Sequence, residues 1–238
     1  MTLLAILSTN GRVRAVCLAL HVTIALLLLI ELPAMQVASA LPHTVWLPLR
    51  PLGPTPAAER QGSTLGLAKG RFLVASRSLS DPNFAETAIF LIDYHQRGAM
   101  GLIINKPTPV PLAKVWPDMA GLRQRSDTVY IGGPVAIRRI MLLIRSSRPL
   151  DDAQQVIDNI HVSTSQKILA RLVDRAGTAE PFRVYAGYAG WDSGQLEREV
   201  ARGDWHVLPA DAATVFDTAP ADVWPTLIRK GTIRWLRF

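Results

Sequence analysis

Residues 88–105 read AIFLIDYHQRGAMGLIIN. Two apolar, β-branched-rich runs, Ala88 to Tyr94 and Met100 to Asn105, flank the turn-forming interval His95-Gln96-Arg97-Gly98, so the pattern predicts a β-hairpin. Working outward, Phe72 to Ser76 is a short apolar run ahead of the hairpin. Behind it, Thr128 to Ile131 and Ile140 to Ile144 flank Gly132-Gly133-Pro134. Glycine opens backbone angles closed to other residues and proline blocks continuation, so a second pair of strands is expected there. Val156 to Val162, with Ile157, Ile160 and Val162, is expected to add one strand, and Phe182 to Tyr188 another.

Helical periodicity falls between these strands. Thr164 or Ser165 is placed to cap a helix whose stripe is Ile168, Leu169, Leu172 and Val173 and which stops at Gly177. Asp192 or Ser193 is placed to cap a second, with Leu196 and Val200 on one side, ending near Gly203. Asp211 to Phe216 and Ala221 to Ile228 form two further pieces divided by Pro220. Strand pairs followed by single helices between single strands imply an α+β fold rather than a doubly wound parallel sheet. The domain is placed at residues 70–238.

Upstream of it the chain changes character. Residues 41–69 hold Pro42, Pro48, Pro51, Pro54 and Pro56, which remove backbone donors and fix φ, so a disordered tether is expected. In residues 1–40, Arg12 and Arg14 precede a run from Val16 to Leu32 that is apolar apart from His21, Thr23 and Glu31, and Ala38-Ser39-Ala40 has the small-x-small pattern of a signal-peptidase site. Cleavage after Ala40 is the first reading. An uncleaved anchor helix and a translation start further downstream are the alternatives.

Composition bounds the function classes. The 238 residues are 49% hydrophobic and 19% charged, which excludes wholesale disorder, and the net charge of +7 permits contact with nucleic acid or anionic lipid. Cys17 is the one cysteine, so neither an intramolecular disulfide, a Cys-x-x-Cys pair nor a thiolate metal cluster can form. GxGxxG, GxxxxGK[ST], HExxH and GxSxG are all absent. Ser193 lies in GWDSG, out of register for a nucleophile elbow, and a capping role is preferred for it. No spacing ties His95, His161 or His206 to a nucleophile and an orienting carboxylate, so no catalytic residue, metal or cofactor is assigned. Trp191, Trp205, Trp224 and Trp235 are read as core rather than as a base-stacking platform. Arg123, Arg125, Arg138, Arg139, Arg145 and Arg148, opposed within 119–150 by Asp127, are read as a solvated face.

GRFLVAS (70–76), DPNF (81–84) with Thr87, GAMGLIINKP (98–107), YIGGPV (130–135) and GYAGWDSGQLEREV (187–200), followed by Trp205 and Pro209, resemble the YqgE/AlgH family. The resemblance implies a single α+β domain with a bifurcated, partly barrel-like mixed sheet flanked by helices. It also implies a cytoplasmic location and a family label of transcriptional regulator, attached through an effect on alginate production. It brings no established active site, cofactor or DNA motif. Two departures stand out. An apolar segment and tether precede the domain, which makes export or anchoring through residues 12–40 the alternative location. The family's Arg-Gly-Phe-x-Leu-His after GGPV is replaced by Arg139 and Ile140-Met141-Leu142-Leu143-Ile144.

Three glycine-bearing loops supply the candidate ligand residues: Asn105 and Lys106; Gly132 and Gly133; and Gly190, Trp191, Ser193, Gln195 and Glu197, with Asp192 beside them. If the loops converge, backbone N–H groups at a helix start and the Lys106 cation would suit an anion. The alternative is that the glycines serve turns and close packing. The expected function is a non-enzymatic regulatory or binding protein with a protein or small-molecule partner. The alternative is a small-molecule or phosphate-binding enzyme at these loops. Nucleic acid would have Lys167, Arg171 and Arg175 on one helix to meet it, and a membrane only the amino-terminal segment.

Overall fold

The computed structural model describes residues 66–174 and 180–235. The expected leader, the tether as far as residue 65, Arg175 and the helix stop at Gly177 lie outside them. Leu67 is buried and Lys69 Nζ donates to the Gln155 carbonyl at 3.0 Å, so the last residues assigned to the tether already pack on the domain. Among the described residues, no helix is long and apolar enough to cross a membrane.

The strands are β1 (Arg71–Ala75), β2 (Ala88–His95), β3 (Gly98–Ile103), β4 (Pro107–Pro111), β5 (Thr128–Ile131), β6 (Val135–Arg145), β7 (Gln154–Ile157), β8 (Ile160–Ser163), β9 (Phe182–Asp192) and β10 (Trp205–Pro209). The helices are α1 (Leu112–Val115), α2 (Gln166–Asp174), α3 (Gln195–Arg202), α4 (Ala212–Phe216) and α5 (Pro220–Trp235), with a short 3-10 turn at Ala120–Leu122. The main path of the sheet is β10-β1-β2-β3-β9-β6-β8-β7, and β5 and β4 branch from β9. The mixed sheet, curled into a half-barrel and flanked by helices, is the fold expected.

The fork lies in β9. Val184–Ala186 pair in parallel with Val129–Ile131 of β5, whereas Ala189–Asp192 pair antiparallel with Gly101–Gly98 of β3. Gly187, at φ +71, stands between the two stretches. The curl is visible at the sheet's ends: Gly70, just ahead of β1, packs so tightly on Ile157 of β7 that a Cβ there would overlap the isoleucine side chain.

The hairpin predicted from residues 88–105 forms as β2 and β3 around Gln96-Arg97, with a bulge between Leu91 and Asp93. The strands at 128–131 and 140–144 also form but do not pair with each other. Gly132 and Gly133 carry the chain across β9 to its other edge, and a Cβ on Gly133 would land on the Tyr188 and Ala189 backbone. Only glycine lets two backbones approach so closely. The single strand expected at 156–162 is two, β7 and β8, because Asp158-Asn159 turns the chain back. β4 was not read from its Pro-Thr-Pro-Val-Pro sequence; it pairs only with β5, an edge where missing N–H donors are tolerated. β9 runs on through Asp192, so Trp191 is a strand residue. The cap of α3 is Gly194 at φ +70, not Asp192 or Ser193.

Period-2 alternation divides the core between the two faces of the sheet. Leu142 and Ile144 of β6, with Phe182 and Val184 of β9, meet the α2 stripe of Ile168, Leu169, Leu172 and Val173. Met141, Leu143 and Tyr185 face the other way, into the larger core of β1, β2, β3, α3 and α5. Fully burying one such aliphatic side chain contributes roughly 1.5–3 kcal/mol. Trp191, Trp205 and Trp224 are buried, as their core reading required, and the Trp235 side chain lies outside the described ones.

Candidate functional site

The GYAGWDSGQLE segment builds a seam where β9 hands over to α3. Glu199 Oε2 accepts the indole N–H of Trp191 at 2.8 Å and that of Trp205 at 2.9 Å, and its Oε1 accepts the Gln195 amide at 2.9 Å. Gln195 Oε1 in turn accepts the Asp192 backbone N–H at 3.1 Å. The spacing 195 to 199 puts both side chains on one face of α3, one turn apart. Ser193 Oγ donates to the Gln96 carbonyl at 2.7 Å, tying the β9–α3 turn to the tip of the hairpin. Glu197 accepts the Tyr94 hydroxyl at 2.6 Å. Burial first, then the Glu197 hydrogen bond and charge, push the Tyr94 pKa upward.

Asn105 and Lys106 engage a different element, the turn of residues 81–87. Asn105 Oδ1 accepts the Ala88 N–H and its Nδ2 donates to the Glu86 carbonyl, each at 2.9 Å. Lys106 Nζ donates to the carbonyls of Asn83 at 2.9 Å and Pro82 at 3.4 Å. Burial lowers the Lys106 pKa, with Asp81 pulling against it. Phe84, on the same turn, stacks on Trp191 at 6.5 Å between ring centroids and meets Trp205 edge-on at 5.7 Å. The turn thus touches Lys106 on one side and Trp191 on the other. Gly132 and Gly133 lie against Gly187–Ala189, and Gly190 pairs with Met100.

Open space lies elsewhere. A cleft of about 390 Å³ lies along the starts of the parallel pair β5 and β9, lined by Thr128, Tyr130, Phe182, Arg183 and Val184. Arg125, Ser126, Asp127, Leu112 and Phe216 close its sides. Arg125 Nε donates to Asp127 at 2.6 Å, and its guanidinium lies 5.0 Å over the Phe182 ring. The Arg183 guanidinium lies 4.9 Å over Tyr130 and donates to the Ile104 and Phe216 carbonyls, both at 3.3 Å. A second hollow, about 230 Å³, is lined by Arg148, Asp151, Arg171 and Glu180. None of the nine residues singled out in the three loops lines either space.

Arg125 was legible as part of the basic set. Two others of the set also meet separate acids, Arg145 on Asp217 at 2.7 Å and Arg148 near Glu180 at 3.5 Å. Arg183 and Tyr130 were missed. The available signal was one arginine inside the apolar strand FRVYAGY, in register with Tyr185 on the same side of β9. Burial pushes the Tyr185 pKa upward, and its enclosed hydroxyl makes no hydrogen bond of good geometry. Among the described residues, no group of three His, Cys, Asp or Glu is arranged to hold a metal.

A family model described as AlgH-like matches residues 72–235. A UPF0301 protein of Anaeromyxobacter sp. (strain K) is 37% identical over 180 residues, covering 71% of this chain and 90% of that protein. One from Pseudomonas aeruginosa (strain LESB58) is 38% identical over 160 residues, covering 65% and 83%. The solution structure of the AlgH protein from Pseudomonas aeruginosa superposes with a TM-score of 0.56 at 33% identity, over 67% of this chain and 86% of that one. A crystal structure from Corynebacterium diphtheriae shares the fold, with a TM-score of 0.59 at 24% identity over 68% and 86%.

Proposed function

This chain belongs to the AlgH-like family, and we propose that it is a non-enzymatic binding protein with a regulatory role, its domain at residues 70–238 recognising a small molecule or protein. One observation carries this reading: four polar side chains of the matching segments are spent on the fold. Glu199, Gln195, Ser193 and Asn105 each complete hydrogen bonds to indoles, amides or backbone within the chain. A general base or nucleophile needs a lone pair, and a general acid a proton, aimed at a reactant, and such a group gains nothing from being locked to a scaffold indole.

Nucleic acid is the less favoured partner. Of the α2 cations, Arg171 is turned to the Asp151 carbonyl at 3.3 Å, and Arg125, Arg145 and Arg148 of the basic set pair with separate acids.

The test is incubation of the full chain with a small-molecule extract of its host, followed by ultrafiltration and mass spectrometry over time. Compounds retained stoichiometrically and recovered unchanged are expected. A product that accumulates with time and protein concentration would show turnover and overturn the reading.

A further inference from the structure

We infer that the cleft between β5 and β9 binds a small organic monocarboxylate, held by Arg125 and Arg183. This rests on the binding reading above and gives it a site and a ligand class.

Three observations lead to it. First, the charge of the cleft is unbalanced. Arg125 and Arg183 face one carboxylate, Asp127, so the lining carries one net positive charge. Arg183 is half-buried and makes no ion pair among the described residues, and its hydrogen bonds go to carbonyls at 3.3–3.5 Å. A partly desolvated cation with only long, neutral acceptors is stabilised by an added anion.

Second, the donor geometry is planar. Arg125 gives its Nε to Asp127, and its terminal nitrogens make no hydrogen bond among the described residues. Aromatic rings hold both guanidinium planes, Phe182 under Arg125 and Tyr130 under Arg183. A fixed guanidinium matches the two oxygens of a carboxylate, and Thr128 and Ser126 add hydroxyls to the lining.

Third, the lining holds a single carboxylate, Asp127, which opposes a second negative charge on the ligand. A phosphate dianion would leave one charge uncompensated beside that carboxylate, whereas a monoanion leaves none. The volume of about 390 Å³ accommodates such a molecule.

The experiment titrates the full chain with benzoate, with benzamide as its neutral counterpart and with inorganic phosphate, reading backbone and arginine Nε–H resonances by NMR. Benzoate is expected to saturate shifts at Thr128–Ile131 and Arg183, with benzamide and phosphate at least about tenfold weaker. Arg125→Gln is expected to weaken benzoate at least about tenfold. Arg138→Gln, an exposed arginine outside the cleft, should leave it unchanged. Arg183→Gln risks the fold, because Arg183 also ties Ile104, just past β3, to Phe216 of α4, so Arg125→Gln decides. Equal binding of benzoate and benzamide, phosphate matching benzoate, or an unchanged Arg125→Gln would each overturn the inference. Turnover in the extract experiment would sink the binding reading whatever the cleft does. Extract ligands that bind without perturbing the cleft would sink this inference alone.

Discussion

Trp191 on β9 and Trp205 on β10 donate their indole N–H groups to the same oxygen of Glu199, while their rings meet edge-on at 6.1 Å. One carboxylate therefore pins two large aromatics from strands at distant places in the sheet. Glu199→Ala would strand both donors, and leaving a buried donor unpaired costs roughly 1–3 kcal/mol each. A loss of about 3 kcal/mol or more in urea unfolding is expected, and Glu199→Gln, which keeps an acceptor oxygen, should cost less than half as much. An alanine variant within about 1 kcal/mol of wild type would mean that the indoles find water instead.

The glycine crossing gives a sharper contrast. At Gly133 the backbone has φ +155 and no room for a Cβ, whereas Gly203 has φ +88 with open space around it. Gly203→Ala should cost only the left-handed backbone penalty, about 1 kcal/mol, while Gly133→Ala should cost several times that and yield little soluble protein. Thermal melts of the two variants side by side check this, and equal losses would refute the crossing.

Lys106 separates scaffold from ligand roles. Its ammonium is held by the Asn83 and Pro82 carbonyls, so Lys106→Met should destabilise the 81–87 turn by about 1 kcal/mol. It should leave benzoate binding unchanged, because Lys106 does not line the Arg125–Arg183 cleft. A tenfold loss of benzoate affinity in a folded Lys106→Met protein would instead return the site to the glycine-bearing loops.

Local pattern made the β2–β3 hairpin, the α2 stripe and the buried tryptophans legible, because each rests on neighbours in sequence. The fork in β9 was not legible from periodicity. Whether β5 and β6 pair with each other or straddle a third strand depends on a close approach of Gly133 to Tyr188, which no local pattern encodes. The resemblance supplied the bifurcated sheet. The cap of α3 was misread for a related reason: Asp192 and Ser193 have capping chemistry, but β9 continues far enough to pair Asp192 with Gly98, and the turn falls on Gly194. The Arg125–Arg183 cleft joins separate segments with no motif, and only the parallel pairing of β5 with β9 brings them together.

Two histidines give the fold a dependence on mild acid. His206 on β10 is half-buried beneath α5, where a Cβ on Gly231 would approach its ring carbon at 3.1 Å, and burial lowers its pKa. His161 on β8 is lowered by burial too, with Glu180 opposing. Both rings therefore resist protonation in the folded state, while in the unfolded chain they take up protons near pH 6.5. The unfolded state then binds more protons over the interval below that pH, so stability falls as pH drops from 6.5 and stops falling once the folded rings protonate as well. Urea midpoints should decrease between pH 7.0 and 5.5, above the range where most carboxylates titrate. His206→Gln, which removes one of the two groups, should flatten that slope. A wild-type midpoint that stays level or rises on acidification, or a His206→Gln protein with the wild-type slope, would show that burial of this ring does not govern the response.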